Sequence, residues 1–202
     1  MIKLAKIYLL FTLLVLVACT KADHAEKNEL VPINAIDISW QHPQPNFNLL
    51  DSGGTLHNLT DYRGKVVIAF FGYTHCPEVC PTTLADLAQT MRLLGQDASQ
   101  VQVLFITLDP ERDTPEVLSK FIPSFDPTFV GLYGDAQATA KAAKSFGVNY
   151  QKQMDKFGGY TLDHSDGTYL IGKEGKSLWL SRYGQRPDLL IQDIKLLLAS
   201  AQ

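Results

Sequence analysis

Cysteine is scarce in this chain of 202 residues: only Cys19, Cys76 and Cys80 are present. A scaffold held together by many disulfides is thereby excluded. Basic residues do not cluster, and Lys and Arg number 18 against 21 Asp and Glu. A chain with a formal charge of −3 and no basic block offers nothing for nucleic acid to bind. No apolar run reaches the roughly 20 residues that a membrane-crossing helix needs. There is no internal repeat. Proline is missing from the whole stretch between Gln151 and Arg186, an absence that bears on the site proposed below.

The N-terminus has the form of an export signal. Lys3 and Lys6 precede an apolar run of eleven residues, Ile7 to Val17, too short to anchor the chain comfortably by itself. Leu16-Val17-Ala18-Cys19 resembles a bacterial lipobox, in which cleavage precedes a cysteine that then carries lipid. The expected organisation is a signal peptide at 1–18, a lipid-anchored tether at 19–45 and a folded domain at 46–202, the last two exported and attached to a bacterial membrane. Loss of the signal removes Lys3 and Lys6 and takes the formal charge from −3 to −5. Thr20 to Glu29 is polar and charged, and Pro32, Pro43 and Pro45 interrupt any regular pattern, so His24 and His42 are read as solvated linker residues.

The domain reads as alternating strands and helices. A hairpin is expected at Phe47–Leu50 and Thr55–His57 around Gly53-Gly54, with His57 on its exposed side. Val66–Phe71 is an unbroken apolar run suited to a central strand covered on both faces. Pro81–Leu94 has helical spacing, and Val101–Leu108 forms the next strand. Thr114-Pro115-Glu116 starts a helix with Thr as cap. Phe129–Leu132 is a strand, and Ala136–Phe146 is a helix closed by Gly147. A second hairpin is expected at Thr168–Ile171 and Ser177–Leu180, followed by an amphipathic helix at 187–198. This order predicts an α/β domain, a mixed central sheet flanked by helices with an N-terminal hairpin extension. A cysteine pair between the first core strand and its helix suggests a thioredoxin-like fold.

Cys76 and Cys80 are four residues apart where that strand gives way to a helix. Unpaired N–H groups and the helix dipole favour thiolate there. Two such sulfurs can hold a soft metal ion or oxidise to each other. Pro81 pushes Cys80 away from helical geometry, so a loop from Cys76 to Cys80 with the helix starting at Pro81 is expected. The candidates for a third ligand are His57, His75 and His164. His164 lies in Thr161–Gly167, the loop expected before the strand at 168. In thioredoxin-like folds this loop abuts the cysteine motif and usually holds a proline, yet here it holds a histidine between Asp163 and Asp166. Either aspartate is a candidate to orient the imidazole. Two thiolates with an imidazole favour copper, whereas structural zinc normally takes four protein ligands.

Gly72-Tyr73-Thr74-His75-Cys76-Pro77-Glu78-Val79-Cys80-Pro81, together with Asp61–Lys65, Leu108–Pro115 and Asp163-His164 ahead of Tyr169-Leu170-Ile171, resembles the Sco/SenC family of copper-binding, thioredoxin-fold assembly factors. The resemblance runs from about Phe47 to the C-terminus. It implies that Cys76, Cys80 and His164 bind copper, Cu(I) or Cu(II). It also implies that the protein is a metallochaperone, not an enzyme, for the binuclear copper centre (CuA) of cytochrome c oxidase. The implied partner is oxidase subunit II, with room for a copper-donor chaperone. The domain would face the periplasm or cell exterior, held by lipid on Cys19. Glu78 departs from the family's usual Asp and, with Asp109, Asp113 and Asp163, is a candidate for supporting the site or docking the target; Asp109 and Asp113 are read equally well as capping and turn residues around Pro110. The competing function is a thiol–disulfide oxidoreductase that reduces the partner's cysteines, for which His164 would be dispensable. A peroxidase would need a cationic stabiliser beside one thiol, which the sequence does not identify.

Overall fold

A computed structural model describes residues 33–200. The expected signal peptide and the lipidation site at Cys19 lie outside them. The strands are β1 (Ile36–Asp37), β2 (Asn48–Asp51), β3 (Leu56–Asn58), β4 (Val66–Gly72), β5 (Val101–Thr107), β6 (Val130–Tyr133), β7 (Tyr150–Met154), β8 (Tyr160–His164), β9 (Thr168–Ile171) and β10 (Leu178–Ser181). The helices are α1 (Val79–Leu94), α2 (Pro115–Phe121), α3 (Ala136–Phe146) and α4 (Pro187–Ala199).

Eight strands form one sheet in the order β1-β10-β9-β4-β5-β6-β2-β3. β4, β5 and β6 run parallel, and antiparallel strands extend the sheet on both sides. All seven residues of β4 are buried, as its unbroken apolar run requires of a strand covered on two faces. Phe70 packs on Phe105, which meets Phe121 of α2, while Phe71 and Tyr169 meet Phe146 of α3. Successive strand residues point to opposite faces, so α2 and α3 cover different sides. The arrangement is the expected thioredoxin-like fold with a hairpin extension. Helix ends follow their caps: Thr114 and Asp135 accept N–H bonds at the starts of α2 and α3, and Gly147 closes α3 in the left-handed conformation.

Three expectations are corrected. Residues 33–45, which the prolines assign to a tether, are packed onto the domain. β1 pairs with β10, and the buried Asp193 carboxylate of α4 accepts the backbone N–H groups of Asn34 and Ala35 at 2.8 and 2.9 Å. His42 is half-buried against Gly147, not free in solvent. The stretch before β9, expected to be a loop, is instead a two-stranded sheet of β7 and β8, joined by a turn at Asp155–Gly159. Among the described residues no helix is long and apolar enough to cross a membrane.

Candidate metal centre

β4 delivers the chain to Gly72, and residues 73–78 turn it into α1. The helix begins at Val79, earlier than the expected Pro81, with Glu78 as its N-terminal flanking residue. Pro81 is tolerated because it occupies the first turn, where its missing N–H would have had no helical partner. Cys80 is therefore helical and fully buried, and Cys76 is half-buried in the preceding loop. The Cys80 backbone N–H donates to Cys76 Sγ at 3.4 Å, so one of the helix's unpaired donors does meet a sulfur.

Burial pushes the Cys80 thiol well above its ordinary pKa, and the nearby Cys76 and Asp113 raise it further. Its proton is costly to remove unless a cation takes its place.

His164 ends β8. Its Nδ1 lies 2.8 Å from the carbonyl oxygen of Ser165, which can only accept, so Nδ1 carries the proton. Nε2 is left with its lone pair and faces Cys80 Sγ at 3.7 Å. Tyr73, buried behind the loop, meets the imidazole edge-on at 5.9 Å between centroids. Metal–thiolate and metal–imidazole bonds of about 2.3 and 2.0–2.1 Å, at angles between tetrahedral and trigonal, separate the two ligand atoms by about 3.5–3.8 Å. The Cys80–His164 pair fits an ion of that size. Among the described residues no three His, Cys, Asp or Glu side chains converge on one point as they stand, because Cys76 Sγ is turned onto the helix N-terminus.

The other candidates sit elsewhere. His57 lies on edge strand β3 and is half-buried, not exposed. It joins Asp51 at 3.1 Å and the Tyr62 hydroxyl at 2.8 Å, three strands removed from β4. His75 is exposed and contacts the Thr74 hydroxyl at 3.1 Å. Asp163 and Asp166 are exposed, and the Ser165 carbonyl takes the orienting role expected of them. Glu78 is exposed and its side chain makes no capping bond.

Asp109 and Asp113 are buried and brace the site's surroundings. Asp113 accepts from the Thr74 N–H and hydroxyl and from the Thr107 hydroxyl, which pins the loop ahead of Cys76 to the end of β5. Asp109 accepts from the Tyr160 hydroxyl at 2.7 Å and from Arg112 Nε. Tyr73, Thr107, Arg112 and Tyr160 are given no role at the site in the sequence expectation. The signal that could have revealed the hairpin carrying Tyr160 and His164, and was not read, is the Asp155–Gly158–Gly159 turn chemistry.

The SCO1/SenC family model matches residues 38–199. The mitochondrial SCO2 homolog of Bos taurus is 39% identical over 135 residues, covering 65% of this chain and 51% of that protein. The chain thus spans about half the length of that relative. The structure of Bradyrhizobium japonicum ScoI with copper bound superposes with a TM-score of 0.71 at 38% identity, covering 77% of this chain and 99% of that one. BsSco, a member of the Sco family of cytochrome c oxidase assembly proteins in which a disulfide switch was identified, matches with a TM-score of 0.63 at 25% identity. That match covers 79% of this chain and 96% of BsSco.

Proposed function

The chain belongs to the SCO1/SenC family, and on that premise we propose that it is a copper metallochaperone. It takes up copper with Cys76, Cys80 and His164. It passes the ion by thiolate ligand exchange to the binuclear copper centre of cytochrome c oxidase, carried by subunit II. The observation that supports this most directly is the approach of Cys80 Sγ to His164 Nε2 across 84 residues of sequence. For all three to bind, the Cys76 side chain must turn off the Cys80 N–H, at the expense of one weak N–H···S contact. Sulfur donors with one imidazole favour copper over harder ions, and three protein ligands leave the ion open to an incoming cysteine. Loading displaces the Cys80 proton, and a monovalent or divalent cation in the buried pocket offsets the cost of the thiolate. No substrate turnover is required. Export and lipid attachment at Cys19, with the domain on the outer side of the membrane, are part of this proposal and rest on the lipobox-like sequence.

Titration of the reduced protein with Cu(I) against a competing chelator tests it. Cys76→Ser, Cys80→Ser and His164→Ala are each expected to weaken binding by at least about tenfold. Unchanged affinity in all three defeats the proposal.

The second reading, a thiol–disulfide oxidoreductase acting on the partner's cysteines, is favoured by the free thiols of Cys76 and Cys80 lying side by side where the loop enters α1. Oxidase assembly in cells carrying His164→Ala separates the two. Full assembly supports the reductase, and loss supports copper delivery.

A further inference from the structure

The two halves of the candidate centre are mounted differently. Cys76 and Cys80 sit where β4 meets α1 in the core. His164 sits on β8, whose backbone strand pairing is to β7 alone, outside the large sheet. Most of that hairpin is exposed, with Leu162 its one buried residue. Something else must fix the distance between imidazole and thiol.

Arg112, from the loop between β5 and α2, spans the gap. Its Nη1 donates to the Tyr160 carbonyl at 2.9 Å, at the start of β8 and four residues before His164. Its guanidinium carbon lies 3.6 Å from the centroid of the Tyr160 ring, and Nε is held by the buried Asp109. The Tyr160 hydroxyl returns to the same Asp109, which closes a ring of contacts between loop and hairpin. The guanidinium also lies 5.8 Å from the centroid of Tyr73, the ring against which His164 packs. The remaining nitrogen, Nη2, is buried with no hydrogen-bond partner among the described residues. A planar cation stacked on one aromatic ring, within cation–π range of a second, and forked between a carbonyl and a carboxylate is a task for Arg, and an ammonium cannot perform it.

Resting on the reading of Cys76, Cys80 and His164 as copper ligands, we propose that Arg112 is the positioning residue that seats the His164 hairpin at the cysteine pair. It touches neither sulfur nor imidazole. It acts by locking Tyr160 to Asp109 and by backing Tyr73.

The test is a four-cornered comparison of wild type, Arg112→Met, His164→Ala and the double variant. Two quantities are read: Cu(I) affinity by chelator competition, and amide hydrogen exchange of residues 160–164 in the metal-free reduced protein. Arg112→Met is expected to weaken copper binding about tenfold and to speed exchange across β8. In the His164→Ala background it costs no further affinity. Arg112→Lys behaves like the Met variant. An equal loss in both backgrounds, or unchanged affinity and exchange, overturns the role. If Arg112→Met does not fold, Tyr160→Leu is put through the same cycle and must give the same pattern. Should His164→Ala alone leave affinity intact, it is the ligand assignment that fails.

Discussion

Gly72 lies directly beneath Cys80: a Cβ on Gly72 would stand 2.8 Å from Cys80 Sγ, 3.1 Å from the Phe70 ring and 3.2 Å from the Phe105 ring. The last residue of β4 thus has to lack a side chain for the thiol to occupy its place. Gly72→Ala is expected to destabilise the fold by about 1–3 kcal/mol, since none of the three neighbours is free to retreat. It also moves the sulfur relative to His164. Denaturant midpoints and Cu(I) competition on the same variant check both effects.

If Cys80 is a copper ligand as proposed, metal loading is expected to be pH-dependent. Its proton is present at neutral pH, held more firmly by burial, and would have to leave when copper binds. Each proton displaced raises apparent affinity by about tenfold per pH unit, so the plot of log affinity against pH between about 6 and 8 should lose about one unit of slope in Cys80→Ser. The same shift sets a stability trend without metal. The contribution of a group with a raised folded pKa is full below the unfolded thiol value, about 8.5, and declines above it. Reduced wild type should therefore lose more stability than Cys80→Ala between about pH 8 and about pH 10.

Asp113 gives the opposite end of the pH scale a similar probe. Burial holds its carboxyl above the ordinary value, although bonds from Thr107 and Thr74 pull it down. The native state therefore keeps this proton longer than the unfolded chain does. Stability from the group is full below about pH 3.9 and declines as pH rises through the folded value. Asp113→Asn removes that titration, so its deficit in melting temperature should be larger at about pH 4 than at pH 7. The substitution also turns an N–H₂ toward donors and loosens the Thr74 loop, at about 1–3 kcal/mol.

Asp193 ties the N-terminal segment down. Besides the two backbone donors of Asn34 and Ala35, it accepts from Gln185 Nε2 at 3.1 Å. Asp193→Ala is expected to cost about 1–3 kcal/mol and to expose residues 33–45 to protease. Copper affinity should hold, because two strands separate β1 from β4.

How much of this was legible in the sequence follows from what each residue is held by. β4 declared itself because a strand covered on both sides is apolar at every position, and β5 because it is apolar at all but Gln102 and Thr107. α2 and α3 did so because Thr114 and Gly147 carry local signals, to which the structure adds the Asp135 cap. The hairpin of β7 and β8 did not. Nine of its ten residues are not buried, so no alternation marks it, and its attachment depends on Arg112, 48 residues from Tyr160. Residues 33–45 misled for a related reason. Prolines mark irregular backbone, and whether irregular chain is loose is decided here by a carboxylate 158 residues away. The pairing of Cys80 with His164 was reachable because β9 runs antiparallel beside β4, so the chain that enters β9 meets the end of β4 from which the cysteine loop departs. The ring's orienting partner was not, since a backbone carbonyl leaves no trace in residue type.

The two-stranded hairpin has a further consequence for how cargo leaves. In the proposed copper carrier the light arm is the side that would open, so the imidazole would be the ligand to release first while the two sulfurs stayed on the ion. An acceptor cysteine would then enter where nitrogen was, and the ion would not be without ligands during the handover.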